Sequence, residues 1–189
     1  MINDQLQMTN KKPKQHGFTL IELLITVSVI TVGIVAAFTA VQQGISVVDY
    51  SRSRLTAAFL AQEGAEIIKN IRDTNLLEGR TATVDWNEGI DPGASPKEYE
   101  VVYDDVDTAG VNLASATCSP NCDFSNLRFL KKIDNVLYNY SIGNDTRYKR
   151  KVRIEKISNE HLRLTIVVYW TTKKGSDEFQ LIQEMYKWW

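Results

Sequence analysis

Side chains that carry chemistry are scarce in this chain of 189 residues. It has two histidines, His16 and His161, and neither has a nucleophile or a metal partner near it in sequence. No phosphate-cradling glycine loop, H-E-x-x-H pair or G-x-S-x-G elbow occurs. The sequence therefore offers no candidate catalytic residue, metal or cofactor. A dominant charge is missing too, because 22 Lys and Arg stand against 23 Asp and Glu. A net charge of -1 excludes both a global basic field for nucleic acid and the acidic excess of a disordered chain. Only two cysteines are present, Cys118 and Cys122, in a Ser, Pro, Asn and Asp stretch expected to be an exposed loop. Three residues separate them, which is not the C-x-x-C of a redox motif, and only Asp123 could add a nearby metal ligand.

What the chain does have is one long apolar run. Residues 18–41 read FTLIELLITVSVITVGIVAAFTAV, with Glu22 the only ionisable side chain. As a helix this run would measure about 36 Å, enough to cross a hydrocarbon core of roughly 30 Å. Lys11, Lys12 and Lys14 precede it. A secretory signal peptide shares the basic start, but this run is long for such a segment and no convincing small-residue cleavage pattern follows. A single-pass anchor fits better, with the lysines holding the N-terminal arm in the cytoplasm. Glu22 needs its own account. Thr19-Leu20-Ile21-Glu22 fits a capping box, and a carboxylate in the first helical turn gains about 0.3–1 kcal/mol from the helix dipole. Deep in lipid an ionisable group costs about 2.5–3.5 kcal/mol, and less near the interface.

Gly17-Phe18-Thr19-Leu20-Ile21-Glu22, with its basic leader and apolar helix, resembles the processing motif of type IV prepilins and type II secretion pseudopilins. The resemblance implies a prepilin peptidase that cuts between Gly17 and Phe18 on the cytoplasmic side and methylates the new amine of Phe18. His16 would leave with the leader. Cleavage creates a positive amine that must enter an apolar filament core, and a buried charge needs a partner. The resemblance assigns that role to Glu22, pairing with the amine of a neighbouring subunit during assembly. It also implies a pilin fold, α+β, in which a long N-terminal helix packs on a C-terminal antiparallel sheet. The expected organisation is a leader at 1–17, a transmembrane and filament-core half-helix at 18–41, an amphipathic half-helix at 42–73 and an extracytoplasmic sheet domain at 74–189. Expected partners are the peptidase, other pilin subunits, an inner-membrane assembly platform and the bilayer. The chain would sit in the cytoplasmic membrane with its C-terminal domain outside, then in an extracellular or periplasmic filament.

Between Pro13 and Pro92 there is no proline, so helix is predicted to continue from the apolar run to about Asp73. Many major pilins carry a helix-breaking proline in the apolar half; here Thr39 stands about where it would fall. Together with the short leader and the sizeable strand-rich domain, this leans toward a minor pilin. A type II secretion pseudopilin, or a single-pass membrane protein with an extracytoplasmic binding module, is the alternative. Val48, Leu55, Phe59, Ile67 and Ile71 have spacings compatible with one face packed on the domain. Gly33, Gly44 and Gly64 are candidate flex points, with 44–46 the expected bend.

Beyond the helix, turn residues dominate 74–96, with a short strand expected around 81–85. Further strands are predicted at 98–103, 127–132, 136–140, 148–157, 162–172 and 178–186, forming one antiparallel sheet. An irregular loop is expected at 104–126. Cys118 and Cys122 within it are an expected small-loop disulfide of an exported domain. Asp104, Asp105 and Asp107 lack the spacing of a calcium loop and read as a solvated turn. Residues 147–153, RYKRKVR, place Lys149, Lys151 and Arg153 on one strand face, where they could contact DNA or another anion; an exposed sheet face, with Arg150 drawn to a carboxylate, is the plainer expectation.

Overall fold

The computed structural model describes residues 17–79, 84–102, 122–133, 137–172 and 175–188. Its first element is helix α1, Leu20–Glu78, followed by strands β1 (Lys97–Tyr99), β2 (Lys131–Ile133), β3 (Leu137–Asn139), β4 (Asn144–Asp145), β5 (Tyr148–Ser158), β6 (His161–Thr172) and β7 (Gly175–Tyr186). This is the α+β architecture expected, with the later part of α1 packed on antiparallel sheet. The chain divides into two compact units, one through Val48 and one from Asp49.

The helix runs past Asp73 to Glu78, and residues 44–46 are helical. Its end is set by a close approach. The Gly79 N–H donates to the Asn75 carbonyl at 2.7 Å, and a Cβ on Gly79 would lie 2.8 Å from the Val84 carbonyl oxygen. Only glycine fits that contact without movement.

In the second unit the buried face of α1 carries Ser53, Ala57, Leu60, Ala61, Gly64, Ile68, Ile71 and Asn75, at helical spacings of three and four. The stripe drawn from apolar residues alone is therefore corrected in part. Ile67 and Ile71 are buried, but Leu55 and Phe59 are 57% and 61% exposed, and Val48 is exposed in the first unit. The physical reason is size. Small side chains let the helix backbone approach the sheet, so the packed face follows Ser, Ala and Gly as much as Leu and Ile.

The larger sheet has the order β1-β5-β6-β7, all antiparallel. Period-two alternation turns Leu162, Leu164, Ile166, Val168 and Trp170 inward from β6, each fully buried. They pack with Val152 and Ile154 of β5 and with the buried face of α1. A second sheet, β3-β2-β4, was not anticipated from the sequence. Of the strand predicted at 98–103, Glu98 and Tyr99 lie in β1, 100–102 are not strand and Tyr103 lies outside the described residues, while 127–132 contributes only to β2, with Leu127 and Leu130 buried outside any strand. Of the strand expected at 81–85, Val84 and Asp85 are not extended into a ladder and 81–83 lie outside the described residues.

Candidate processing and assembly site

Gly17, Phe18 and Thr19 form an exposed segment immediately before α1. A Cβ placed on Gly17 would meet nothing within 4 Å, so the protein's own packing gives no reason for glycine there. Thr19 caps the helix. Its hydroxyl accepts the Glu22 backbone N–H at 3.3 Å, and its carbonyl accepts the Leu23 N–H at 3.1 Å. The amide half of the capping box is thus formed. The Glu22 carboxylate is exposed and has no partner among the described residues.

The other polar side chains of the apolar segment are satisfied locally. Thr26 donates to the Leu23 carbonyl at 2.8 Å, Ser28 to Leu24 at 2.8 Å and Thr31 to Val27 at 2.7 Å. Thr39 reaches the Ala36 carbonyl at 2.8 Å. Hydroxyls bonded back to their own helix present no open donor to an apolar surrounding. Glu22 alone is left over. Around it, residues 20–48 are exposed along their whole length, and α1 includes a stretch apolar and long enough to cross a membrane. Lys11, Lys12 and Lys14 lie outside the described residues.

The other candidate residues are elsewhere. Lys149 is only 6% exposed; its ammonium lies 4.7 and 4.4 Å from the Phe124 and Phe129 ring centroids and donates to the Phe124 carbonyl at 2.8 Å. Lys151 donates to the Glu98 carboxylate at 3.2 Å. Arg153 is exposed. The three do not form an open basic row, because the 122–129 segment and β1 cover or neutralise two of them. Cys122 is buried and no described cysteine is free, while Cys118, Asp104, Asp105 and Asp107 lie outside the described residues.

Arg150 is the residue whose role the sequence reading understated. It is fully buried on the inner face of β5, with its guanidinium donating to the Leu60 carbonyl of α1 at 2.7 Å and to the Val101 carbonyl. The Glu63 carboxylate lies 3.5 Å away, and the Tyr140 hydroxyl donates to the Arg150 backbone carbonyl at 3.1 Å. Burial holds the Tyr140 phenol well above its ordinary pKa, so it stays a donor. The available signal was strand parity. Tyr148, Val152 and Ile154 point inward, and Arg150 shares their face.

No curated protein and no solved structure is a significant match to the chain. Residues 12–38, which contain Gly17, Phe18 and Glu22, match the family model described as the prokaryotic N-terminal methylation motif, so the chain carries the N-terminal signature of type IV pilins and pseudopilins.

Proposed function

We propose that the chain is a minor pilin, a structural and assembly subunit of a type IV pilus-like filament. It is made as a membrane-anchored precursor, cut after Gly17 and N-methylated at Phe18 by a prepilin peptidase, with its C-terminal domain outside the cytoplasmic membrane. An inner-membrane platform then passes it into a filament with other pilin subunits. The observation that carries this reading is Glu22, the one polar side chain of residues 18–41 whose bonding its own helix leaves unmet. Cleavage at Phe18 supplies a cation of matching charge, and an ammonium moved into an apolar core is stable only when paired.

Co-expression with a prepilin peptidase, followed by intact mass and N-terminal analysis, tests the processing step. The expected product begins at Phe18 with a methylated amine; a chain that still begins at Met1 retires the reading. Gly17→Ala should block the cut while leaving the fold alone, since the added Cβ touches nothing. Glu22→Ala should be processed normally but enter filaments at least about tenfold less, because an unpaired buried ammonium costs several kcal/mol and about 1.4 kcal/mol is a factor of ten. Wild-type incorporation of that variant would remove the pairing role.

A further inference from the structure

Strand β7 is a long edge with little to protect it. All 12 of its residues pair with β6 in an unbroken register from Thr172↔Gly175 to His161↔Tyr186, and no described residue pairs with its other side. The opposite edge of the same sheet, β1, has only three residues. Long edges are usually blunted by proline, lysine or a bulge, because alternate residues present unpaired N–H and C=O groups. β7 has none of these devices.

The apolar layer also stops half-finished there. The inward row of β6 is fully buried, but Phe179 and Leu181 on the same face of β7 are only partly buried against the core. One more strand would cover them. The charge on the edge says what kind of strand fits. β7 contains Asp177, Glu178 and Glu184 and no cation. Glu184 is already engaged by Arg163 at 2.7 Å and His161 at 2.6 Å, whereas no described cation pairs with Asp177 or Glu178.

We propose that the outer edge of β7 accepts an extended segment of a different polypeptide as an added strand. Its side chains alternate, with apolar residues over Phe179 and Leu181 and basic residues on the opposite, exposed face beside Glu178. A second copy of this chain is a poor occupant. Its β1 edge is too short to match, and β7 against β7 joins two strands that carry acids and no cation; centred on Leu181, that pairing sets Glu178 opposite Glu184.

The test uses the full chain in neutral-detergent micelles and does not require a filament, so its failure is separate from failure of the pilin reading. The probe is an acetylated, amidated peptide of alternating valine and lysine, with a valine and glutamate peptide as control. Residue-resolved amide exchange should slow about tenfold or more at alternate residues of β7 with the lysine peptide only. Glu178→Gln should weaken that protection, as should salt. Absence of protection, or equal protection by the glutamate peptide, overturns the proposal. Outward amides already protected without peptide overturn it as well. If that protection is independent of protein concentration, the chain covers its own edge; if it rises with concentration, a second copy does.

Discussion

Arg150→Ala should destabilise the second unit by about 3–5 kcal/mol, the range for breaking a buried ion pair by removing one partner. Three losses add. The Leu60 and Val101 carbonyls each lose a charged donor, Glu63 loses its cation, and the aliphatic stem leaves a void against Gly64 and Ile166. Arg150→Met separates them. It keeps most of the volume, and Glu63, about one-third exposed, can turn toward water. Leu60 is a mid-helix residue whose carbonyl also serves the helix ladder, but Val101 is outside any strand and is left without this donor. Arg150→Met should therefore cost about 1–3 kcal/mol, less than Arg150→Ala. Urea unfolding of the full chain in neutral detergent, followed by the emission of buried Trp86 and Trp170, gives the order. An alanine cost below about 1 kcal/mol would mean that Glu63 and the two carbonyls find other partners.

The parts of the fold that the sequence displayed are those governed by local period. β5, β6 and β7 were legible because their alternation continues for 11 or 12 residues and each turn between them is marked by Asn, Gly or Ser. Strands were expected near β1, β2 and β3 too, but the bounds of β1 and β2 and the division into two sheets were not legible, because so short a ladder has no period and is placed by tertiary bonds such as Leu130 N–H to the Tyr148 carbonyl at 2.8 Å. The packed face of α1 was half legible for a related reason. A hydrophobic scale ranks Leu55 and Phe59 above Ala57 and Gly64, yet the closeness of the helix to β5 selects the small residues. The processing site is the opposite case. Gly17, Thr19 and Glu22 lie within six residues, so their meaning is local, and the structure adds mainly the finding that Glu22 is unsatisfied while its hydroxyl neighbours are not. Lys149 was misleading for want of a third dimension. Strand parity correctly puts it on the outer face, but the 122–129 segment folds back and roofs that end of the sheet.

Gly64 was expected to loosen the helix, and its neighbours give it another role that a sign reversal can expose. A Cβ at Gly64 would lie 3.1 Å from Arg150 Cδ, 3.4 Å from Ile166 Cγ2 and 3.5 Å from Arg150 Nε. In an unencumbered helix, Gly→Ala gains about 1 kcal/mol. Here the new methyl needs Arg150 to move by a few tenths of an ångström, and Arg150 is held between Leu60 on one side and Val101 on the other. Overpacking of this kind costs about 1–3 kcal/mol, so Gly64→Ala should be destabilising by about 1 kcal/mol net, and Gly64→Leu by about 3 kcal/mol. The decisive measurement is the cycle with Arg150→Ala. With the guanidinium and its stem gone, the nearest obstacle to the methyl disappears, leaving Ile166 at ordinary contact distance. Gly64→Ala in the Arg150→Ala background should then be stabilising, approaching the intrinsic gain of about 1 kcal/mol, with a coupling energy near 2 kcal/mol. The same sign of effect in both backgrounds would mean that Gly64 acts through helix flexibility and not through its contact with Arg150.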